Sequence, residues 1–342
     1  MEHFIKHIKV SNFKSIRDLK LQNCKRINLF IGYPNVGKSN LLEALSLFSL
    51  PYLNEGDNLN KFIRVEHRNE LFYNVKNKTF KIETNLEKVN INININPLIF
   101  FLCETKNQIE TYFFSEKLDF HPSLKIAGDD ENKSQNSNIL PNTNIKRYIF
   151  QSKNDWKSTG NELLLPPFGE NIIDTLSYNE NVADVKLWMK KEFSKFGLEY
   201  VLDKSSNRLK IQRRLNGDEV FQLPYSSIAD TLQRVIFYKT AIASNSNSVL
   251  LFEEPEAHAF PPYIKTITQD IIDSKNNQFF IATHSPVVLN DFIEYADIRK
   301  QVSIFLFDFK DGQTTAKRLS DEEVDDIYNY GEDLFFNIEK FL

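Results

Sequence analysis

The chain has 342 residues, 41% of them hydrophobic and 13% aromatic, with 29 Phe. That is enough apolar side chain for one large core or two modest ones, and it excludes a disordered chain. The formal net charge of −4 excludes a protein that coats nucleic acid by charge alone and leaves room only for a local basic patch. Cys24 and Cys103 form no metal-ligand or paired spacing, and no apolar run reaches bilayer-spanning length, so a cytoplasmic protein without a membrane partner is expected.

In chain order, residues 3–10 alternate polar with apolar, and Asn12-Phe13-Lys14-Ser15-Ile16 turns the chain into a second short strand at 18–21. With the apolar run 27–31 these predict a small N-terminal sheet. That run feeds Gly32-Tyr33-Pro34-Asn35-Val36-Gly37-Lys38-Ser39, a GxxxxGK[ST] phosphate-binding loop, and then Asn40-Leu41-Leu42-Glu43-Ala44-Leu45, the opening turns of a helix ending near Pro51. Strand patterns dominate from 62 to about 110, with strict period-two alternation at 89–95. The polar stretch 127–146 predicts a mobile surface loop. After Pro166-Pro167-Phe168-Gly169 come a helical region, 171–196, and a strand pair, 198–202 and 208–213. The expected organisation is two halves of a nucleotide-binding core, 1–104 and 223–342, with a helical and β lid region inserted at 105–222.

The chemistry of the phosphate loop is separable by residue. Gly32 and Gly37 let backbone N–H groups wrap a phosphate, Asn35 and Asn40 flank it, and the helix start adds a favourable dipole. Lys38 supplies a point charge to the β- and γ-phosphates, and the Ser39 hydroxyl a magnesium ligand. The apolar run 248–252 then ends in Glu253-Glu254-Pro255-Glu256, a buried strand delivering carboxylates at its C-terminal end. Glu253 is expected to hold Mg2+, directly or through water, and Glu254 to polarise the attacking water. The next strand, 279–282, ends in Thr283-His284-Ser285-Pro286, which places His284 within reach of the γ-phosphate or that water. His258 suits a structural or subunit-contact role equally well.

Together these residues resemble the ABC-type ATPase heads of the SMC/RecF/OLD group. The matching pieces are Ile8 to Ile16, the phosphate loop with Asn40 to Leu45, Leu250 to His258 and Ala282 to Pro286. The resemblance implies an α/β fold of the ABC-ATPase-like P-loop NTPase kind, with an N-terminal antiparallel β-layer and a parallel core sheet. It implies ATP hydrolysis with Mg2+, Glu254 and His284 serving catalysis, and Glu253 standing where the group has aspartate. Such heads close face to face on ATP, so it also implies a homodimer, or a higher oligomer, in which a serine-bearing helix start reaches the nucleotide of the other subunit. Ser226 and Ser227 occupy that place, with serine capping the helix that follows. For the group's glutamine-loop residue, Arg64 and Asn69 are the candidates.

Pro34 to Ser39 is also a spelling found in Era-like GTPases, but the nearest guanine-reading stretch, Asn77-Lys78-Thr79-Phe80, lacks its acid. Three functions compete. The first is an ATP-driven switch that controls a separately encoded effector, such as a nuclease or toxin, in anti-phage defence. The second is a RecF-like repair head that binds DNA through Lys186, Lys190, Lys191, Lys195, Arg208, Lys210, Arg213 and Arg214. The third is a nucleotide-binding scaffold of low turnover.

Overall fold

A computed structural model describes residues 3–95, 98–105, 109–115, 117–120, 144–152, 156–215 and 218–342. The strands in chain order begin with β1 (His7–Phe13), β2 (Ile16–Gln22) and β3 (Ile27–Gly32), which leads into helix α1 (Lys38–Ser46). Strands β4 (Thr79–Thr84), β5 (Glu87–Ile95), β6 (Leu98–Thr105) and β7 (Ile109–Phe114) follow, then β8 (Ile145–Tyr148). Helices α2 (Ile172–Tyr178) and α3 (Ala183–Ser194) precede the meander β9 (Glu199–Asp203), β10 (Arg208–Arg214) and β11 (Val220–Pro224). The last part is α4 (Asp230–Ala243), β12 (Val249–Glu253), α5 (Pro261–Asp273), β13 (Gln278–Ala282), α6 (Pro286–Ile293) and α7 (Ala296–Arg299). It closes with β14 (Val302–Lys310), β15 (Gln313–Arg318), α8 (Asp321–Tyr330) and α9 (Ile338–Phe341).

The core sheet runs β15-β14-β3-β13-β12-β8, parallel except for the β14–β15 hairpin. Its four central strands are buried on both faces, which is why they read as continuous apolar runs. The pleat divides them. Leu29, Ile31, Leu250, Phe252, Phe279, Ile281, Ile304 and Leu306 face one way, into a cluster with α2 to α6 and α8. Phe30, Leu251, Phe280, Phe305 and Phe307 face the other, into a cluster that holds Leu41, Leu42 and Leu45 of α1 and the second large sheet. That sheet, β2-β1-β4-β5-β6-β7, is antiparallel throughout. The architecture is therefore helices, parallel sheet and antiparallel sheet in layers, with α1 between the sheets. Each fully buried Leu, Ile or Phe in these seams contributes roughly 1.5–3 kcal/mol of transfer free energy.

Four sequence expectations need correction. Residues 27–31 do not join the N-terminal sheet: β3 lies between β13 and β14 in the parallel sheet, and β1 pairs with β2 and β4 instead. The antiparallel sheet continues past 104 through β7, and β8 within the supposed insert is an edge strand of the core, paired to β12. Of the predicted loop, residues 127–143 lie outside the described residues, while Ile145 and Lys146 are buried in β8. Finally, the strand pair at 198–213 is a three-stranded sheet completed by β11.

Candidate active site

The phosphate loop leaves the C-terminal end of β3 and is clamped from behind by the β14–β15 hairpin. A Cβ at Gly32 would meet the Phe307 carbonyl, and one at Gly37, where φ is 100°, would meet the Thr314 side chain. Glycine at both positions is thus a packing requirement as well as a conformational one. Asn35 also adopts a positive φ, 63°. Lys38 Nζ donates to the carbonyls of Gly32 and Tyr33, 2.8 Å each, so the ammonium lies folded along its own loop. Burial pulls it down from 10.5 to about 8, against the opposing pull of Glu254 and Glu253. Asn40 donates to Ser15 Oγ (2.7 Å), which is in turn 2.6 Å from Thr314 Oγ1.

The carboxylates arrive from two strands away. Register pairs Glu253 with Ala282 and Ala282 with Phe30, so β12, β13 and β3 end side by side. Glu253 is the last residue of β12; Glu254 follows in a left-handed turn, φ 44°, its N–H held by the Ala282 carbonyl at 2.8 Å. A glutamate at positive φ is uncommon, and such backbone strain concentrates at functional sites. It brings the Glu254 carboxylate to 3.5 Å from His284 Nε2. Burial first, and Lys38 second, push the His284 imidazole below its ordinary value, with Glu254 opposing.

Gly37, Lys38, Ser39, Asn35, Asn40, Glu253, Glu254 and His284 all line one cavity of about 700 Å³. Gly32 is buried beneath the loop. Ser226 and Ser227 are exposed and lie outside the cavity. They occupy a 3₁₀ turn, and the helix expected to be capped by serine starts at Asp230 behind Ala229 with no side-chain cap. Ile228 and Ala229 intervene, so the two serines stop short of the helix start and cap none of its first N–H groups.

Glu253 carries more partners than its sequence position suggested. Arg147 on β8 donates to one carboxylate oxygen (2.5 Å) and Arg64 to the other (3.1 Å), and the Ser39 hydroxyl bonds it as well. Burial pushes the Glu253 carboxyl up, but Arg147, Ser39 and Arg64 outweigh it and hold the group below the usual carboxylate range. Arg64 also bonds Glu43 through Nε at 2.6 Å, and Lys14 closes on the same fully buried Glu43. Ser39 and Glu253 supply hard oxygen donors side by side, the donor chemistry that suits Mg2+. The residues therefore fit the ion, with Arg64 sharing the carboxylate. Sequence reasoning missed Arg147, and it missed Arg234 and Tyr238, which face the cavity from successive turns of α4. Of the two glutamine-loop candidates, Arg64 lines the cavity and Asn69 does not.

A family model described as "AAA domain, putative AbiEii toxin, Type IV TA system" matches residues 27–290. The chain belongs to this AAA family. An "ATP/GTP phosphatase" of Helicobacter pylori is 24% identical over 375 aligned residues, covering 97% of this chain and 100% of the relative. A "DNA replication and repair protein RecF" of Caldanaerobacter subterraneus subsp. tengcongensis is 36% identical over 70 residues, 20% of this chain and 19% of that one. Among solved structures, an Smc head bound to the C-winged helix domain of ScpA superposes with a TM-score of 0.51 at 16% identity, covering 94% of this chain and 99% of that chain. The chain is thus an AAA-family protein with the fold of the Smc heads. Among its described residues, no helix is long and apolar enough to cross a membrane, and no cluster of three His, Cys, Asp or Glu could hold a metal by protein ligands alone.

Proposed function

We propose that this protein is an ATP-hydrolysing switch in which two copies close on ATP and a separately encoded effector reads the closed state. The observation that carries this reading is the convergence of Lys38, Ser39, Glu253, Glu254 and His284 on one cavity at the ends of three adjacent strands. Lys38 binds the β- and γ-phosphates, with the loop N–H groups wrapping them. Ser39 and Glu253 would hold magnesium, which when bound would supply positive charge to offset that of the phosphate oxygens. Glu254 accepts a proton from the attacking water, and the uncharged His284 beside it orients that water. Ser226 and Ser227, exposed at the lip of α4, serve the nucleotide of a second copy. The toxin in the family description supports a setting in anti-phage defence, with a nuclease or toxin as effector.

Replacing the base while keeping its shape tests this. Glu254→Gln should lower the ATPase rate by roughly 10²–10⁴-fold with nucleotide affinity kept, and light scattering should find an ATP-trapped dimer. Equal rates in variant and wild type would reject the catalytic assignment. RecF-like DNA binding is the second reading, and the exposed Lys190 and Lys191 of α3 favour it. Lys195, Lys210 and Arg214, however, already pair with Glu192, Asp203 and Glu199. An ATP-dependent, salt-sensitive shift of duplex DNA would decide for it.

A further inference from the structure

The two guanidinium groups on Glu253 are not equivalent. Arg147 is 3% exposed, and its other nitrogen donates to the Phe62 carbonyl, so it is locked between β8 and the loop after α1. Arg64 is 65% exposed and lies along the cavity wall, hinged through Nε on Glu43. Lys14 also bonds Glu43 and the Arg64 carbonyl (2.6 Å), so that the backbone at 64 stays anchored whatever its side chain does. One carboxylate thus receives two cations, one fixed and one free to leave.

We propose that Arg64 is a displaceable counter-ion that holds Glu253 until a divalent cation arrives, then pivots away on Glu43. The inference rests on the assignment of Ser39 and Glu253 as the metal's protein ligands. A doubly charged ion beside Ser39 and Glu253 cannot share the carboxylate with both guanidinium groups, since like charges at contact distance repel. Arg147, buried and bonded at its far side, stays; Arg64, with a second carboxylate to turn on and water around it, goes. Metal occupancy is thereby converted into a swing of the Arg64 side chain about Glu43, while Lys14 keeps the backbone at 64 in place.

The test is the affinity gain that magnesium confers on a fluorescent non-hydrolysable ATP analogue, taken as the ratio of Kd in EDTA to Kd in magnesium. Without Arg64, magnesium meets only the fixed Arg147 on Glu253 and has one competitor fewer. Arg64→Ala and Arg64→Gln should therefore increase the gain by about three-fold, the scale of one solvent-screened ion pair. Glu253→Gln should reduce it. An unchanged or smaller gain in both Arg64 variants, with Glu253→Gln still reducing it, overturns the displacement and leaves the metal site standing. A gain unaffected by Glu253→Gln removes the metal assignment and the inference together. Arg64→Gln retains an amide donor for Glu43, so it carries the comparison if Arg64→Ala melts early.

Discussion

Nucleotide affinity should fall as pH rises through about 8, because Lys38 loses its proton there. Burial holds the Lys38 ammonium at about 8 in the absence of ligand, with only partial relief from Glu254 and Glu253. Phosphate oxygens set against it would stabilise the charged form, so the bound-state pKa lies above the free one and binding takes up a proton. The sign follows: affinity is full below the free pKa and declines above it. With a pKa near 8, roughly nine-tenths of Lys38 is charged at pH 7 and one-tenth at pH 9, so affinity should drop about ten-fold, or ~1.4 kcal/mol, between them. Calorimetry in two buffers of different ionisation enthalpy would read both the Kd and the proton uptake, near half a proton per nucleotide at pH 8. Lys38→Arg, charged throughout, is the control and should be flat over this range. A wild type as flat as Lys38→Arg, or an arginine variant that falls as steeply, would refute the reasoning.

Two further outcomes follow from the packing around the site. Gly37→Ala forces a left-handed residue to carry a Cβ against the Thr314 side chain; it should weaken nucleotide binding at least about ten-fold while circular dichroism stays native, and undiminished binding would count against the clamp. Glu43→Ala strips the buried carboxylate from Lys14 and Arg64. It should cost roughly 2–3 kcal/mol in denaturant unfolding, less than a fully buried pair because Arg64 can turn toward water while Lys14 keeps its bond to the Arg64 carbonyl.

How far the sequence revealed the site depended on whether chemistry had a local signature. The phosphate loop was legible because strand, glycine loop and helix are contiguous, so the eight residues from Gly32 to Ser39 announce one ligand class. Glu253, Glu254 and His284 were legible because each follows an apolar run, and parallel strands expose chemistry at their C-terminal ends. Arg147 had no such signature. It sits in a four-residue strand, Ile-Lys-Arg-Tyr, whose two charges hide its burial, and its strand follows a long polar stretch. The hint was the pair Ile145 and Tyr148 bracketing two cations, which suits a core edge where Lys146 bonds Ser248 and Arg147 bonds Glu253. The misassigned partner of β3 has a different cause. Local pattern reported a doubly buried strand correctly, but which sheet it enters is decided by β13 and β14, some 250 residues away. Arg234 and Tyr238 were hidden differently, in a helix whose apolar stripe reads as core on one side while its polar positions edge a cavity on the other.

The geometry of the proposed acid–base pair is set by a residue that takes no part in it. Glu256 Oε1 accepts from the Thr283 hydroxyl and from the His284 N–H (3.3 Å), so a side chain two residues after Glu254 fastens the end of β13 to the turn after β12. Burial raises the Glu256 carboxyl above its usual range, against the hydrogen bonds from Thr283 and the His284 N–H. The 3.5 Å approach of His284 to Glu254 is therefore held by backbone and by Glu256, and it does not depend on attraction between the two groups. That matters because His284, pushed down by burial and by Lys38, is uncharged at neutral pH and offers no ion pair. A neutral imidazole can relay or orient a proton, whereas an imidazolium would add positive charge beside Lys38; under the proposed function the cations would then stand at the phosphate and the bases at the water.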